Sequence, residues 1–143
     1  MTTKQWLMRA RHLENRIAAL LDARQRAYDR AVSTTAHPRD VCVIGGNTAA
    51  PDDKAASYVI VDEEVRRQEA ALNRIRAEIL DVIGLIEDNT LAALLTKYYV
   101  NGETWEQVAV DMNFSYSHVV QNLHPRALAA AKECIEVYMP DAL

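Results

Sequence analysis

One stripe constrains this chain more than any other feature. Val61, Val65, Gln68, Leu72, Ile75, Ile79, Val82 and Ile86 recur at alternating steps of four and three residues. That spacing lines them along one side of a helix and is the mark of a coiled seam. A second stripe runs through Trp6, Ala10, Leu13, Ile17, Leu20, Arg24 and Ala27 at the same spacing, which predicts a long amphipathic helix over 4–32. Isolated apolar stripes are unstable in water, so the economical arrangement packs 4–32 against 59–88 as an antiparallel helical hairpin. Gln68, polar at a seam position, is expected to help set register or oligomeric state. Asp62, Glu63 and Glu64 read as the acidic N-terminus of the second helix, where carboxylates meet free N–H groups and the positive end of the dipole.

Composition agrees with helices. The 143 residues include 22 alanines but only four glycines and four prolines, too few turn formers for a many-stranded β fold. No apolar run approaches the ~20 residues of a membrane span, and the first residues lack a signal core. A cytoplasmic protein that does not engage membranes is therefore expected. Net charge is −4 overall, yet 4–32 carries seven basic and three acidic residues while 62–88 carries four and eight. Such opposite surfaces suit two paired helices, and self-association through the hairpin into a homo-oligomer is an expected extension.

Between the stripes, residues of about 33–57 hold Pro38, Gly45, Gly46 and Pro51 after Ser33-Thr34-Thr35. This composition predicts a flexible linker, in which Val41–Ile44 is a candidate strand for pairing with Tyr58–Val61. Gly45-Gly46-Asn47 lacks the Gly-Lys-Ser/Thr ending of a phosphate loop.

Punctuation is denser after Asp88. Leu91, Leu94, Leu95 and Tyr98 form one helical face that Asn101-Gly102 is suited to end. Thr104-Trp105-Glu106-Gln107 matches a capping box and predicts a short helix to about Met112. Asn113 is suited to a left-handed stop, and Ser115 to capping a helix that begins at Tyr116. The result is helix, three-residue turn, helix, with Ala109 at the crossing and Val108 and Val119 binding the two helices together. In a DNA-binding version, the second helix enters the major groove N-terminus first. Ser117, His118, Gln121 and Asn122 would then face outward, with Gln121 and Asn122 reading bases and Ser115, Ser117 and Arg126 holding phosphate.

The stretch from Leu94 to Leu128, with Thr104-Trp105-Glu106-Gln107-Val108-Ala109 and Phe114-Ser115 at its centre, resembles the helix-turn-helix of sigma factor region 4. It looks closest to small phage-encoded sigma-like late transcription regulators of the ArpU/RinA type, which place an N-terminal helical region before the motif. The resemblance implies activation of phage or prophage genes at double-stranded promoter DNA, together with host RNA polymerase. It implies Ser115, Tyr116, Ser117, His118, Gln121, Asn122 and Arg126 as the DNA-binding set.

Val119 to Leu123 is one residue longer than the usual region 4 spacing. Pro125 follows and disfavours helical angles at His124, so the second helix is expected to stop near Leu123 and a new one to span 125–138. Residues 89–128 hold two basic and three acidic groups, and phosphate neutralisation supplies most protein–DNA affinity, so unaided binding is expected to be feeble. Tyr98, Tyr99 and Trp105 are expected in the core, not as a base-stacking platform. No catalytic group, cofactor or metal site is expected, since His118 and His124 have no ligand-spaced partners.

The sequence therefore predicts an all-α chain: a long antiparallel helical hairpin over 1–88, then a sigma region 4-like helix-turn-helix domain over 89–143. Two other readings share these features. One is a non-catalytic interaction protein with a degenerate motif, and the other is a phage DNA-packaging adaptor.

Overall fold

The computed structural model describes residues 1–35 and 49–143, and the described chain is all-α. Helix α1 spans Thr3–Thr35 and α2 spans Ala49–Ile83. Helix α3, Asn89–Leu95, continues as a π-turn over Thr96–Val100. Helix α4 is Trp105–Met112, and α5, Tyr116–His118, continues as a second π-turn over Val119–Leu123. Helix α6 is His124–Tyr138. No helix among the described residues is long and apolar enough to cross a membrane.

The contacts divide the chain into two compact units, Met1–Leu13 with Leu72–Leu143, and Glu14–Ala71. The sequence-derived hairpin thus contributes to both. In the first unit a capping box starts α1: Gln5 N–H donates to Thr2 Oγ1 at 3.2 Å and Thr2 N–H to Gln5 Oε1 at 2.9 Å. Trp6, Leu7 and Ala10 are then buried with Leu72, Ile79, Val82 and Ile83 of α2 and with Leu91, Leu94, Leu95, Ala127, Ala131 and Ile135 of the C-terminal helices. Arg9 bonds Glu78 at 3.0 Å. In the second unit Arg24 pairs with Asp62 at 2.9 Å and the Tyr28 ring meets that of Tyr58 at 6.0 Å. As α1 advances from 24 to 28, α2 retreats from 62 to 58, so its segments run antiparallel there.

The predicted stripe on α2 faces inward, with Val65, Leu72, Ile79 and Val82 buried. Its start differs from expectation. Asp62, Glu63 and Glu64 lie inside α2, which begins at Ala49. Asp62 there pairs with Arg24 and Arg66, and Glu64 with Arg67 and Gln68. Side-chain partners, and not free backbone N–H groups, balance these two carboxylates. Gln68 donates to Glu64 Oε1 at 2.7 Å, which satisfies its amide within the helix.

The ends of the expected linker, 33–35 and 49–57, are helical. Tyr58–Val61 is likewise helical, which removes it as a strand partner. Residues 36–48, including Val41–Ile44 and Gly45-Gly46-Asn47, lie outside the described residues.

Candidate nucleic-acid interface

The local chemistry of residues 101–124 builds a short helical pair. Asn101 N–H donates to the Thr96 carbonyl at 2.9 Å and Gly102 takes φ of 75°, which ends the π-turn of α3. Thr104 and Gln107 then satisfy each other's backbone N–H groups at 3.2 and 3.0 Å, the capping box expected at the start of α4. At its end Asn113 has φ of 60°, with Phe114 N–H donating to the Ala109 carbonyl at 3.0 Å and Asn113 N–H to that of Val110 at 3.2 Å. This is a Schellman arrangement with Asn in the left-handed position. Ser115 Oγ then accepts the His118 N–H at 3.2 Å and starts α5.

A left-handed Ala costs roughly 1–2 kcal/mol. Asn113→Ala is therefore expected to lower stability by about 1 kcal/mol, while Asn113→Gly should stay within a few tenths. The shift in denaturant midpoint measures both, and equal midpoints for the Ala and Gly variants would rule out the left-handed stop.

The inner side of the pair is apolar and closed: Val108, Ala109, Val119 and Leu123 are buried. The outer side carries the sequence-predicted residues. Ser115, Tyr116, Ser117, Gln121, Asn122 and Arg126 are exposed and His118 is half-buried. His118 and Asn122 are brought together, Asn122 Nδ2 to His118 Nδ1 at 3.1 Å, and the His118 ring meets Phe114 at 5.3 Å. Ser115 is used locally as the cap. Arg126 stands apart from them, beyond the second π-turn.

That π-turn corrects the expected break. His124 keeps helical angles, φ −62° and ψ −48°, and donates its N–H to the Val119 carbonyl, so the backbone runs from α5 into α6 without stopping. Pro125 falls in the first turn of α6, where its missing N–H is tolerated. Widening the turn by one residue also rotates the following chain by roughly 100° relative to an α-helix. The rotation brings Val119, Leu123, Ala127, Ala131 and Ile135 onto one buried side. Pro125 was the sequence signal beside this device.

The same rotation carries His124 inward, to 9% exposure, and its Nε2 lies 2.7 Å from the Tyr99 hydroxyl. Tyr99 belongs to the first π-turn, so the two π-turns meet through one hydrogen bond. Burial holds His124 down to about 4, helped by the positive charge of Lys4, and pushes the Tyr99 hydroxyl up, aided by Tyr98 and opposed by Arg11. Both are neutral at pH 7.

Around them Tyr98 stacks on Trp105 with centroids 3.7 Å apart and planes at 9°, and Trp105 meets the His124 ring at 4.4 Å. These rings pack on one another, but of the three expected core residues only Tyr99 is buried, and Tyr98 and Trp105 are half-buried. Arg11 of α1 lies over Tyr98 at 4.3 Å and donates to the carbonyls of Tyr98 and Glu103 at 2.8 and 3.1 Å. Sequence reasoning missed His124 and Arg11 as supports of the outer face.

Glu103 and Asp111 share Lys97 as a neighbour, at 3.9 and 3.6 Å. Burial, followed by its hydrogen bond with Asp111, raises the Glu103 carboxyl against the opposing pull of Lys97.

No curated protein and no solved structure matches the chain. The sequence model of one family, described as a protein of unknown function and designated DUF1492, matches residues 31–129. That span contains all of the elements from α2 through the second π-turn, and the chain belongs to the DUF1492 family.

Proposed function

We propose that this chain is a DNA-binding, sigma-like transcription regulator of phage or prophage genes that acts in the cytoplasm with host RNA polymerase. The observation that carries the reading is the helical pair at 105–123. A left-handed Asn113 joins the two helices, buried Val108, Ala109, Val119 and Leu123 close its inner side, and Ser117, Gln121 and Asn122 are exposed on the second helix. A helix presented in this way suits the major groove, where Gln and Asn amides complement adenine.

The net charge of −1 over 89–128 limits what the motif does alone. A second attachment compensates by raising the effective concentration at the site. RNA polymerase supplies it in this reading, as does self-association through exposed Leu21, Tyr28, Val32 and Val59 of α1 and α2.

The test separates reading from positioning. Gln121→Ala is expected to cost about 1–3 kcal/mol on the preferred duplex and to relax preference at one base pair. Arg126→Ala should weaken all sequences alike and reduce the salt slope by about one. Quantitative binding to duplexes selected from a random pool, with and without RNA polymerase, measures both. Equal, sequence-blind weakness of parent and Gln121→Ala with polymerase present would reject direct readout.

That outcome would favour a protein-binding role. Val110 at 75% exposure, with exposed Phe114 and Tyr116 nearby in the chain and acidic Glu106 and Asp111 on the same helix, supports this second reading.

A further inference from the structure

We infer that His118 is a positioning residue for base recognition, holding the Asn122 amide in one of its two flip states. The inference rests on the DNA reading proposed above and assigns a determinant of its specificity.

The chemistry follows from the donor and acceptor inventory. Asn122 Nδ2 lies 3.1 Å from His118 Nδ1. An amide nitrogen only donates, so Nδ1 is the acceptor and the ring proton resides on Nε2. His118 is itself held at its backbone and at its ring. Ser115 Oγ fixes the His118 backbone N–H at 3.2 Å, and the Phe114 ring packs on the imidazole at 5.3 Å with planes at 55°. Phe114 precedes the Ser115 cap and packs back on the His118 ring, while Asn122 follows His118 by four residues, in the π-turn, and reaches its Nδ1.

An unrestrained, exposed asparagine turns its amide over freely, which exchanges oxygen and nitrogen. Only one of these states places an acceptor and a donor in the order that adenine offers through N6–H and N7. With one N–H spent on His118, Asn122 retains Oδ1 and one N–H in a fixed order. His118 also presents Nε2–H as a further donor.

The experiment selects bound duplexes from a randomised pool at low salt with the full chain, comparing parent, Asn122→Ala, His118→Leu and His118→Gln. Thermal unfolding checks that all four are folded. Asn122→Ala is expected to erase an adenine preference at one base pair. His118→Leu keeps an apolar contact with Phe114 but has no acceptor, and should weaken the same preference about threefold to tenfold, the worth of one net hydrogen bond. His118→Gln, whose Oε1 accepts, should restore most of it. Nitrogen NMR of the parent imidazole should show the Nε2–H form, with the balance shifting in Asn122→Ala, a signature independent of DNA.

A full preference in His118→Leu, or a parent ring protonated on Nδ1, overturns the positioning role while leaving DNA reading intact. Failure of the parent to enrich any sequence, alone and with RNA polymerase present, overturns DNA reading and this inference with it.

Discussion

Trp6→Ala is expected to loosen the C-terminal helices, although the substitution lies in the first turn of α1. Trp6 is 2% exposed and belongs to the compact unit formed by Met1–Leu13 and Leu72–Leu143. Removing a buried indole typically costs 3–5 kcal/mol from lost transfer energy and the cavity left behind. That is a large share of the roughly 5–15 kcal/mol that holds most domains folded. The neighbouring turn of α1 carries Arg11, which donates to the carbonyls of Tyr98 and Glu103 and covers the Tyr98 ring. Displacing α1 therefore also strips support from Trp105 and His124. Hydrogen exchange is the measurement: amides of α4 and α6 should lose protection together with those of the first turns of α1. Unchanged protection in α4 and α6, with loss confined to α1, would show that residues 1–13 are dispensable to the C-terminal helices.

The second large effect is acid sensitivity centred on His124. An unfolded histidine takes up its proton near pH 6.5, whereas the buried ring does so only near 4. Between these values the unfolded chain holds more protons than the folded one, so stability falls as pH falls. The contribution is complete above about 6.5 and exhausted below about 4. The separation corresponds to about 3 kcal/mol, and the small exposure of the ring, 9%, leaves little solvent to screen it. Denaturant unfolding at pH 7 and pH 4 reads the loss directly. His124→Leu should be less stable at pH 7, since Tyr99 loses its partner at 2.7 Å, yet its stability should change about 3 kcal/mol less between the two pH values. A His124 imidazole that titrates near 6.5 by NMR would overturn the account.

Local signals were the legible part of this chain. The Val61–Ile86 stripe is inward-facing because a 3.5-residue period survives any choice of partner. The Thr104 box, the Asn113 stop and the Ser115 cap formed as written because each involves residues no more than five apart. The start of α2 was misread for a local reason too. Pro51 looked like a loop former, but a proline in the first turn of a helix forfeits only an N–H that had no partner there. The acidic run at 62–64 then resembled a helix start, when Asp62 and Glu64 serve instead as partners for arginines of α1 and α2.

Long-range facts were not legible. Nothing in the period of α1 distinguishes Trp6, Leu7 and Ala10 from Ile17 and Ala27, yet the two sets belong to different compact units. Arg11 reads as one more basic residue on a solvated face until the carbonyls of Tyr98 and Glu103 are placed beside it. Likewise, the sequence-level objection to His124 rested on the bias of a residue before proline away from helical angles. His124 nevertheless holds φ −62° and ψ −48° and donates its N–H to the Val119 carbonyl five residues back.

The second π-turn also bears on how relatives are to be compared. A helix that gains one residue without losing its ends must bulge, and the bulge at 119–123 is where such an insertion is absorbed. Deleting a single residue there would return the segment to i→i+4 bonding and swing everything after it by roughly 100°. That would turn His124 away from Tyr99 and Ile135 out of its buried row. An alignment with chains of shorter spacing therefore needs its gap between Val119 and Leu123. Residues beyond the gap, Arg126 among them, have to be matched by the side of the helix they occupy, because counting from the turn pairs surface positions with core ones.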